Sequence, residues 1–257
     1  MKATRRIITD NNTLRVCYQD LTAEDVYIGR LRLAQSEEYI LLDLVDRGVR
    51  LFPSAVSQMA SRSKTFQVLR LAQFMLPNTK AIHNIHDLMA CMNNYNIQGV
   101  GQVVSKLDNQ NGGLGIFLWA SIEEVFTQAS LGTLPYPFVI QPFEPNSRDI
   151  RVVILDDYVE AYWRNNPNNF RNNLHFGGNH QVCEPTPAQW QLCQQVMQRG
   201  NFPYAHIDLM VNASGMSYLA EINLRGGIRG ARISASEYQL KIDAIHQRIR
   251  QEIEAEI

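Results

Sequence analysis

Few of the usual shortcuts to a function are present in these 257 residues. Lysine plus arginine (24) nearly cancels aspartate plus glutamate (25), so no global field draws in nucleic acid or an anionic membrane, and an anionic ligand must be caught locally. The four cysteines, Cys17, Cys91, Cys183 and Cys193, have no CxxC spacing and read as reduced thiols of a cytoplasmic protein. No apolar run is long enough to cross a bilayer, and no signal-peptide pattern is evident. His83 and His86 make an HxxH spacing without an acidic or cysteine partner at a zinc-like distance, which favours a solvated helix start. Internal repeats and low-complexity tracts are missing too. What remains is 45% hydrophobic residues, enough for a core in one large domain or in two to three small lobes.

The elements alternate between helices and hairpins, which predicts an α+β (α/β) chain. Residues 6–8 and 14–18 read as short strands, and a helix is expected from Ser36 as N-cap to Gly48 as stop, with Ile40, Leu41, Leu44 and Val45 as its apolar stripe. Helical patterns cover about 54–75, stop near Pro77 and resume at about 87–95. Strands at 99–107 and 116–120 flank a glycine-rich turn, and a helix from Ser121 fades near Gly132. A strand at 138–143 leads to a hairpin turning at Asp156-Asp157, and Thr186-Pro187-Ala188-Gln189 is a capping box with proline at the first helical position. A second hairpin and a helix from about Glu237 follow.

That second hairpin carries the strongest chemical signal. Pairing Val211 with Tyr218 across Asn212-Ala213-Ser214-Gly215 places Asp208 opposite Glu221, with Asn223 further along the same face. Ile207, Leu209, Val211, Tyr218, Ala220 and Ile222 then form a dry face, whose burial sets the register. Two carboxylates and an amide oxygen suit Mg²⁺, which takes oxygen donors and borrows ligands from a bound phosphate. A solvated polar face is the alternative.

Three other segments add to this. The loop 106–115 holds Lys106 at a strand end and Gly112, Gly113 and Gly115 behind it, so its amides can approach a phosphate. It matches neither the Walker sequence nor the dinucleotide fingerprint, and on its own it reads better as a hairpin turn than as a phosphate loop. Pairing Leu155 with Tyr158 puts Asp149, Arg151, Glu160, Tyr162 and Arg164 on one face of the hairpin 149–164, opposite Ile150, Val152, Ile154, Val159, Ala161 and Trp163. The stretch 170–178 then supplies Arg171, two amides and a glycine pair in a polar loop, the type of segment that carries binding function.

In this order the segments resemble the ATP-grasp superfamily, specifically the RimK-like and glutathione synthetase-like carboxylate–amine ligases. The resemblance covers about residues 61–232. It implies an ATP-grasp fold, two α+β lobes gripping ATP, with a shortened N-terminal lobe at 1–60 and an ATP-grasp domain at 61–257, its lid at about 78–137 and its metal-binding lobe at about 138–257. Lys64 looks like the family's lysine at a helix start, and Lys106 with the glycine loop like its second lysine and phosphate lid. Gln141, Pro142 and Phe143 fall at the strand whose backbone reads adenine. Asp149-Ile150-Arg151 is similar to the family's D-I-R, and Arg171 with Asn173 to its nucleotide-flanking pair. Asp208, Glu221 and Asn223 match the metal ligands. Three departures stand out: Pro142 in place of glutamate, Leu224-Arg225-Gly226-Gly227 after Asn223, and the short segment before Ser61.

The implied activity is ATP-dependent amide formation through an acyl phosphate, with a small-molecule or peptide carboxylate and an amine as substrates, and with Arg151, Lys106 and Arg171 as the catalytic cations. ATP and Mg²⁺, in two ions, would be the cofactors, with Mn²⁺ as a substitute. Neither nucleic acid nor membrane is expected as a partner, and pairing into a homo-oligomer stays open. A regulatory ATP-binding module without turnover and a kinase-like enzyme are the competing readings. Arg171, Arg225, Arg229 and Arg232 are candidates for holding a substrate carboxylate in bidentate fashion, such as that of glutamate.

Overall fold

The structure is a computed structural model and describes residues 5–256 apart from Asn109, Asn111 and Asn173. Its first unit is a three-stranded parallel sheet of β1 (Ile7–Ile8), β2 (Val26–Ile28) and β3 (Arg50–Phe52), in the order β1-β2-β3, with α1 (Asn11–Cys17) and α2 (Tyr39–Asp46) as its helices. Residues 14–18, expected as a strand, lie in and after α1 instead. The Asp10 carboxylate caps it through Thr13 N at 2.9 Å, and only Leu14 is buried while Val16 is 87% exposed, so no strand alternation exists. Ser36 does not cap α2: its φ of 68° lies in the left-handed region, and the helix starts at Tyr39. Ile40, Leu41 and Leu44 form the buried stripe, whereas Val45 at the last turn faces solvent.

Two short helices follow, α3 (Ala55–Ala60) and α4 (Lys64–Leu71), each opened by a serine cap, Ser54 and Ser63. The middle unit is an antiparallel sheet ordered β4-β7-β5-β6, from β4 (Lys80–Ile82), β5 (Val103–Leu107), β6 (Ile116–Trp119) and β7 (Phe138–Pro142). Helices α5 (Ile85–Ile97) and α6 (Ile122–Ser130) cover it, burying Leu88, Tyr95, Val125 and Phe138. Strand β7, expected at the start of the C-terminal lobe, is thus an inner strand of this unit: its run Phe138, Val139, Ile140 is dry on both faces and needs neighbours on both edges.

The last unit is a five-stranded antiparallel sheet, β10-β9-β8-β11-β12, built from β8 (Arg148–Leu155), β9 (Tyr158–Asn165), β10 (Asn179–Cys183), β11 (Ala205–Val211) and β12 (Ser217–Asn223). Helices α7 (Pro187–Gly200), with the expected capping box, and α8 (Ala235–Ala255) complete it. Strand β12 would be a bare edge, but the buried Gln67 amide of α4 accepts from Ile222 N at 3.1 Å and donates to Ile222 O at 2.9 Å. Near the other end of α8, Ile253 packs between Val26 and Ile28 of β2, so the first sheet rests on the last helix.

The hairpin β8–β9 has the expected register, Leu155 opposite Tyr158. The hairpin β11–β12 does not: Val211 pairs with Ser217 and Leu209 with Leu219, after which a bulge skips Ala220 and restores Asp208 opposite Glu221. The buried face of β12 therefore consists of Leu219 and Ile222, while the expected Tyr218 and Ala220 are only half-buried.

Candidate active site

Strands β8 and β11 pair Arg151 with Asp208, and the same residue of β11 faces Glu221 on β12, so alternation on three neighbouring strands puts these side chains on one face. Arg151 Nε and Nη2 reach Asp208 Oδ1 and Oδ2, both at 2.7 Å. Arg164, 5% exposed, joins Asp208 Oδ2 at 2.9 Å to Asp149 Oδ1 at 2.5 Å. The result is an alternating chain Asp149, Arg164, Asp208, Arg151 whose formal charges cancel. Burial disfavours charge on Asp208, but the two guanidinium groups overcome it and hold that carboxyl far below its usual range. Arg164 was placed on this face by the strand alternation but was not expected at the site; its period-two spacing from Tyr162 was the available signal.

These residues form one wall of a cleft of about 950 Å³ between the middle and last sheets. Lys106 enters from β5, its Nζ 3.5 Å from Ala220 O. Burial pushes its ammonium below the ordinary lysine range; Lys64 adds to this, and Glu221, Asp208 and Asp149 oppose it. A phosphate would supply the anion that this buried cation lacks.

Among the described residues no group of three or more histidine, cysteine, aspartate or glutamate side chains could hold a metal. The donors here are two carboxylates and an amide. Asn223 Nδ2 donates to Glu221 Oε1 at 2.9 Å, which orients both side chains. The set is all oxygen and fits a hard cation, with Glu221 and Asn223 as its half-buried donors and Asp208 sharing its oxygens with Arg151 and Arg164.

The glycine loop folds over the cleft, with Gly112 and Gly113 at φ of 69° and 80° among its lining residues. Gly115 lies outside the lining, packed where a Cβ would come within 2.6 Å of Gln110 Cβ. Lys64 also lies outside it: its Nζ donates to Gln110 O at 2.5 Å, and its backbone N–H to Asp108 Oδ1 at 2.5 Å, tying the loop to the start of α4. Gln141 and Phe143 line the cleft opposite, but Pro142 does not. Arg171 lines it as well, stacked 4.2 Å over the Phe170 ring and donating through Nη2 to Ile116 O, which stitches this loop to β6. Asn173 falls outside the described residues. The cleft therefore brings together Lys106, Gly112, Gly113, Gln141, Phe143, Asp149, Arg151, Arg171, Asp208, Glu221 and Asn223, and leaves Lys64, Gly115 and Pro142 beside it. It also includes Arg30 from the first unit, which no motif marked.

Such a cleft can bind a polyphosphate between a glycine loop and fixed cations and can align its far end with a phosphoryl acceptor. A protein of Aeromonas salmonicida (strain A449), named a probable alpha-L-glutamate ligase, is 26% identical over 191 residues, covering 71% of this chain and 62% of that relative. The chain thus spans about three fifths of that relative's length. Among solved structures, D-cycloserine synthetase DcsG matches with a TM-score of 0.63 at 12% identity, covering 95% of this chain and 99% of the other. The ATP-grasp ligase PsnB, complexed with a phosphomimetic variant of its minimal precursor, Mg and ADP, matches with a TM-score of 0.55 at 16% identity, covering 82% of this chain and 67% of the other. Both likenesses show the fold. Residues 60–251 match the family model described as the RimK-like ATP-grasp domain, three quarters of the chain and every strand of the cleft, and to that family the chain belongs.

Proposed function

We propose that this chain is an ATP-dependent carboxylate–amine ligase. The observation that carries the reading is the meeting, in one cleft, of a half-buried lysine with no ion-pair partner among the described residues, a fork-paired arginine and an all-oxygen donor set beneath a glycine loop. The γ-phosphoryl group passes from ATP to a substrate carboxylate, giving ADP and an acyl phosphate. An amine then attacks the acyl carbon, phosphate leaves, and the amine's proton is released. Lys106 and Arg151 balance charge on the phosphoryl oxygens during transfer, held in place by burial and by Asp208. Glu221, Asn223 and an oxygen of Asp208 would hold Mg²⁺, which neutralises phosphate charge when bound. Gly112 and Gly113 let the loop cover the site, keeping water from the acyl phosphate.

L-glutamate, named in the aligned relatives, is the first substrate to try, both as acid and as amine, with peptides after it. The test is ADP release from Mg·ATP across pairs of acids and amines, with hydroxylamine added in parallel. A ligase releases ADP only when acid and amine are both present, and gives a hydroxamate when hydroxylamine replaces the amine. One observation favours the rival regulatory reading: Asp208 is already neutralised by two arginines. Tight Mg·ATP binding with no ADP from any pair would decide for it.

A further inference from the structure

Three guanidinium groups in the cleft have no hydrogen-bond or ion-pair partner among the described residues; Arg148 is stacked 4.4 Å over the Trp163 ring, which leaves Arg30 after β2 and Arg225 after β12. Of the four arginines nominated for a substrate carboxylate, the other three are committed elsewhere. Arg171 donates to Ile116 O, Arg229 to Leu174 O at 3.1 Å, and Arg232 pairs with the buried Glu160 at 3.4 Å. Arg62, the further cation near Arg30, is held by Leu33 O at 2.9 Å, Ala34 O at 3.2 Å and Glu38 at 3.5 Å.

Both free arginines are placed from one helix. In α3 the buried Gln58 accepts through Oε1 from Leu31 N at 2.8 Å, and Ser61, the C-cap of that helix, accepts through Oγ from Leu224 N at 2.9 Å. The residue after Arg30 and the residue before Arg225 thus hang from the last turn of α3 and its C-cap, although they follow strands of different sheets. Beyond Arg225 the loop is pinned again. Gly226 sits where a Cβ would come within 2.8 Å of His206 Nδ1, and Gly227 O accepts from Arg151 at 3.0 Å. Burial and the nearby Arg225 both push the Arg30 guanidinium below its ordinary value, the hydroxyls of Tyr204 and Tyr238 opposing. Two like charges from different lobes line one cleft without a compensating partner among the described residues, which leaves a place for one anion.

We propose that Arg30 and Arg225 form an inter-lobe clamp for a carboxylate of the substrate that the reaction does not consume, so that the enzyme selects an acid carrying a second carboxylate. Two guanidinium forks match the planar carboxylate in geometry. The reacting carboxylate is the wrong occupant, because a guanidinium pair would withdraw the charge that must attack phosphorus. The clamped anion also removes the repulsion between the first and last lobes, so its binding favours their closed arrangement. The word substrate rests on the ligase reading; the anion site does not.

The test uses the full chain without nucleotide. Thermal unfolding is followed with glutarate, and with glutaramide, its neutral diamide. Saturating glutarate should raise Tm by about 3 °C or more while glutaramide does nothing. In Arg30→Met and in Arg225→Met the glutarate shift should vanish, and the unliganded Tm should stay level or rise, since one of two repelling charges is gone. A wild-type protein indifferent to glutarate, or variants that keep the shift, would overturn the clamp. ADP release separates the two claims. A glutarate shift without ADP from any acid and amine leaves the clamp and removes the ligase reading. Turnover whose preference for glutamate over glutamine as the acid, expected at about tenfold or more, survives in Arg225→Met does the reverse.

Discussion

Arg151 meets Asp208 side-on across β8 and β11, Nε on Oδ1 and Nη2 on Oδ2, both at 2.7 Å. The same guanidinium donates through Nη1 to Gly227 O at 3.0 Å. One side chain therefore fixes a carboxylate of the donor set and the loop that carries Arg225. Arg151→Met should lower kcat by on the order of a hundredfold, as loss of one preorganised donor does elsewhere. ADP release under saturating ATP measures it, and an unchanged kcat would remove Arg151 from the reacting centre.

Arg164 calls for a different outcome. It is more buried than Arg151 and is shared by Asp149 and Asp208, so Arg164→Met strands the half-buried Asp149 and leaves Asp208 to Arg151 alone. A loss of about 3–5 kcal/mol in urea denaturation is expected. Adding Asp149→Asn to that variant should recover part of the loss, because the amide carries no charge to desolvate. Strict additivity of the two single changes would show that the pair is not coupled.

Glu221 is half-buried and bonded to Asn223, so its removal should spare the fold. Glu221→Ala is expected to abolish ADP formation and to weaken Mg²⁺-dependent ATP binding while the circular dichroism spectrum is unchanged. Near-normal turnover in the variant would overturn the metal assignment.

The residues on strand faces were legible in advance because alternation is local. The two-residue turn at Asp156-Asp157 aligned Asp149, Arg151 and Arg164 without reference to anything beyond the hairpin. The opposition of Asp208 and Glu221 was read for a partly wrong reason: the turn register was displaced by one residue, and the bulge at Ala220, which nothing in the sequence marks, moved it back. What could not be read is whatever depends on distant chain. Lys64 has the right position at a helix start, yet its ammonium goes to Gln110 because Asp108 brings that loop to α4. Arg30 belongs to the cleft only because α3 holds two loops from different sheets.

The Asp108 anchor is itself testable. Its carboxylate accepts from Ser63 Oγ at 2.8 Å, Lys64 N at 2.5 Å, Thr65 N at 3.2 Å and Thr65 Oγ1 at 3.2 Å, occupying the first turn of α4. Asp108→Ala should cost about 1–2 kcal/mol, the range for a lost helix cap. It should also free the base of the glycine loop, seen as faster amide exchange at residues 112–116 and a higher KM for ATP with kcat less affected. Unaltered exchange there would mean that the loop is held by other contacts.

His246 predicts how stability responds to acid. It bonds Tyr204 Oη at 3.1 Å and meets the Phe52 ring edge-on at 5.9 Å, so it joins α8 to both the first and the last sheet. Burial depresses its pKa below the ordinary histidine value, with Asp243 opposing weakly. As pH falls through about 6.5 the unfolded chain takes the proton first, so stability present above that pH is lost as the solution is acidified toward the folded pKa. His246→Gln keeps a hydrogen-bonding group for Tyr204 and cannot titrate. Urea denaturation from pH 7.5 to 5 should therefore show a shallower decline in the variant than in the wild type, the difference opening below about pH 6.5. Parallel curves would mean that the imidazole is solvated well enough to charge freely in the folded protein.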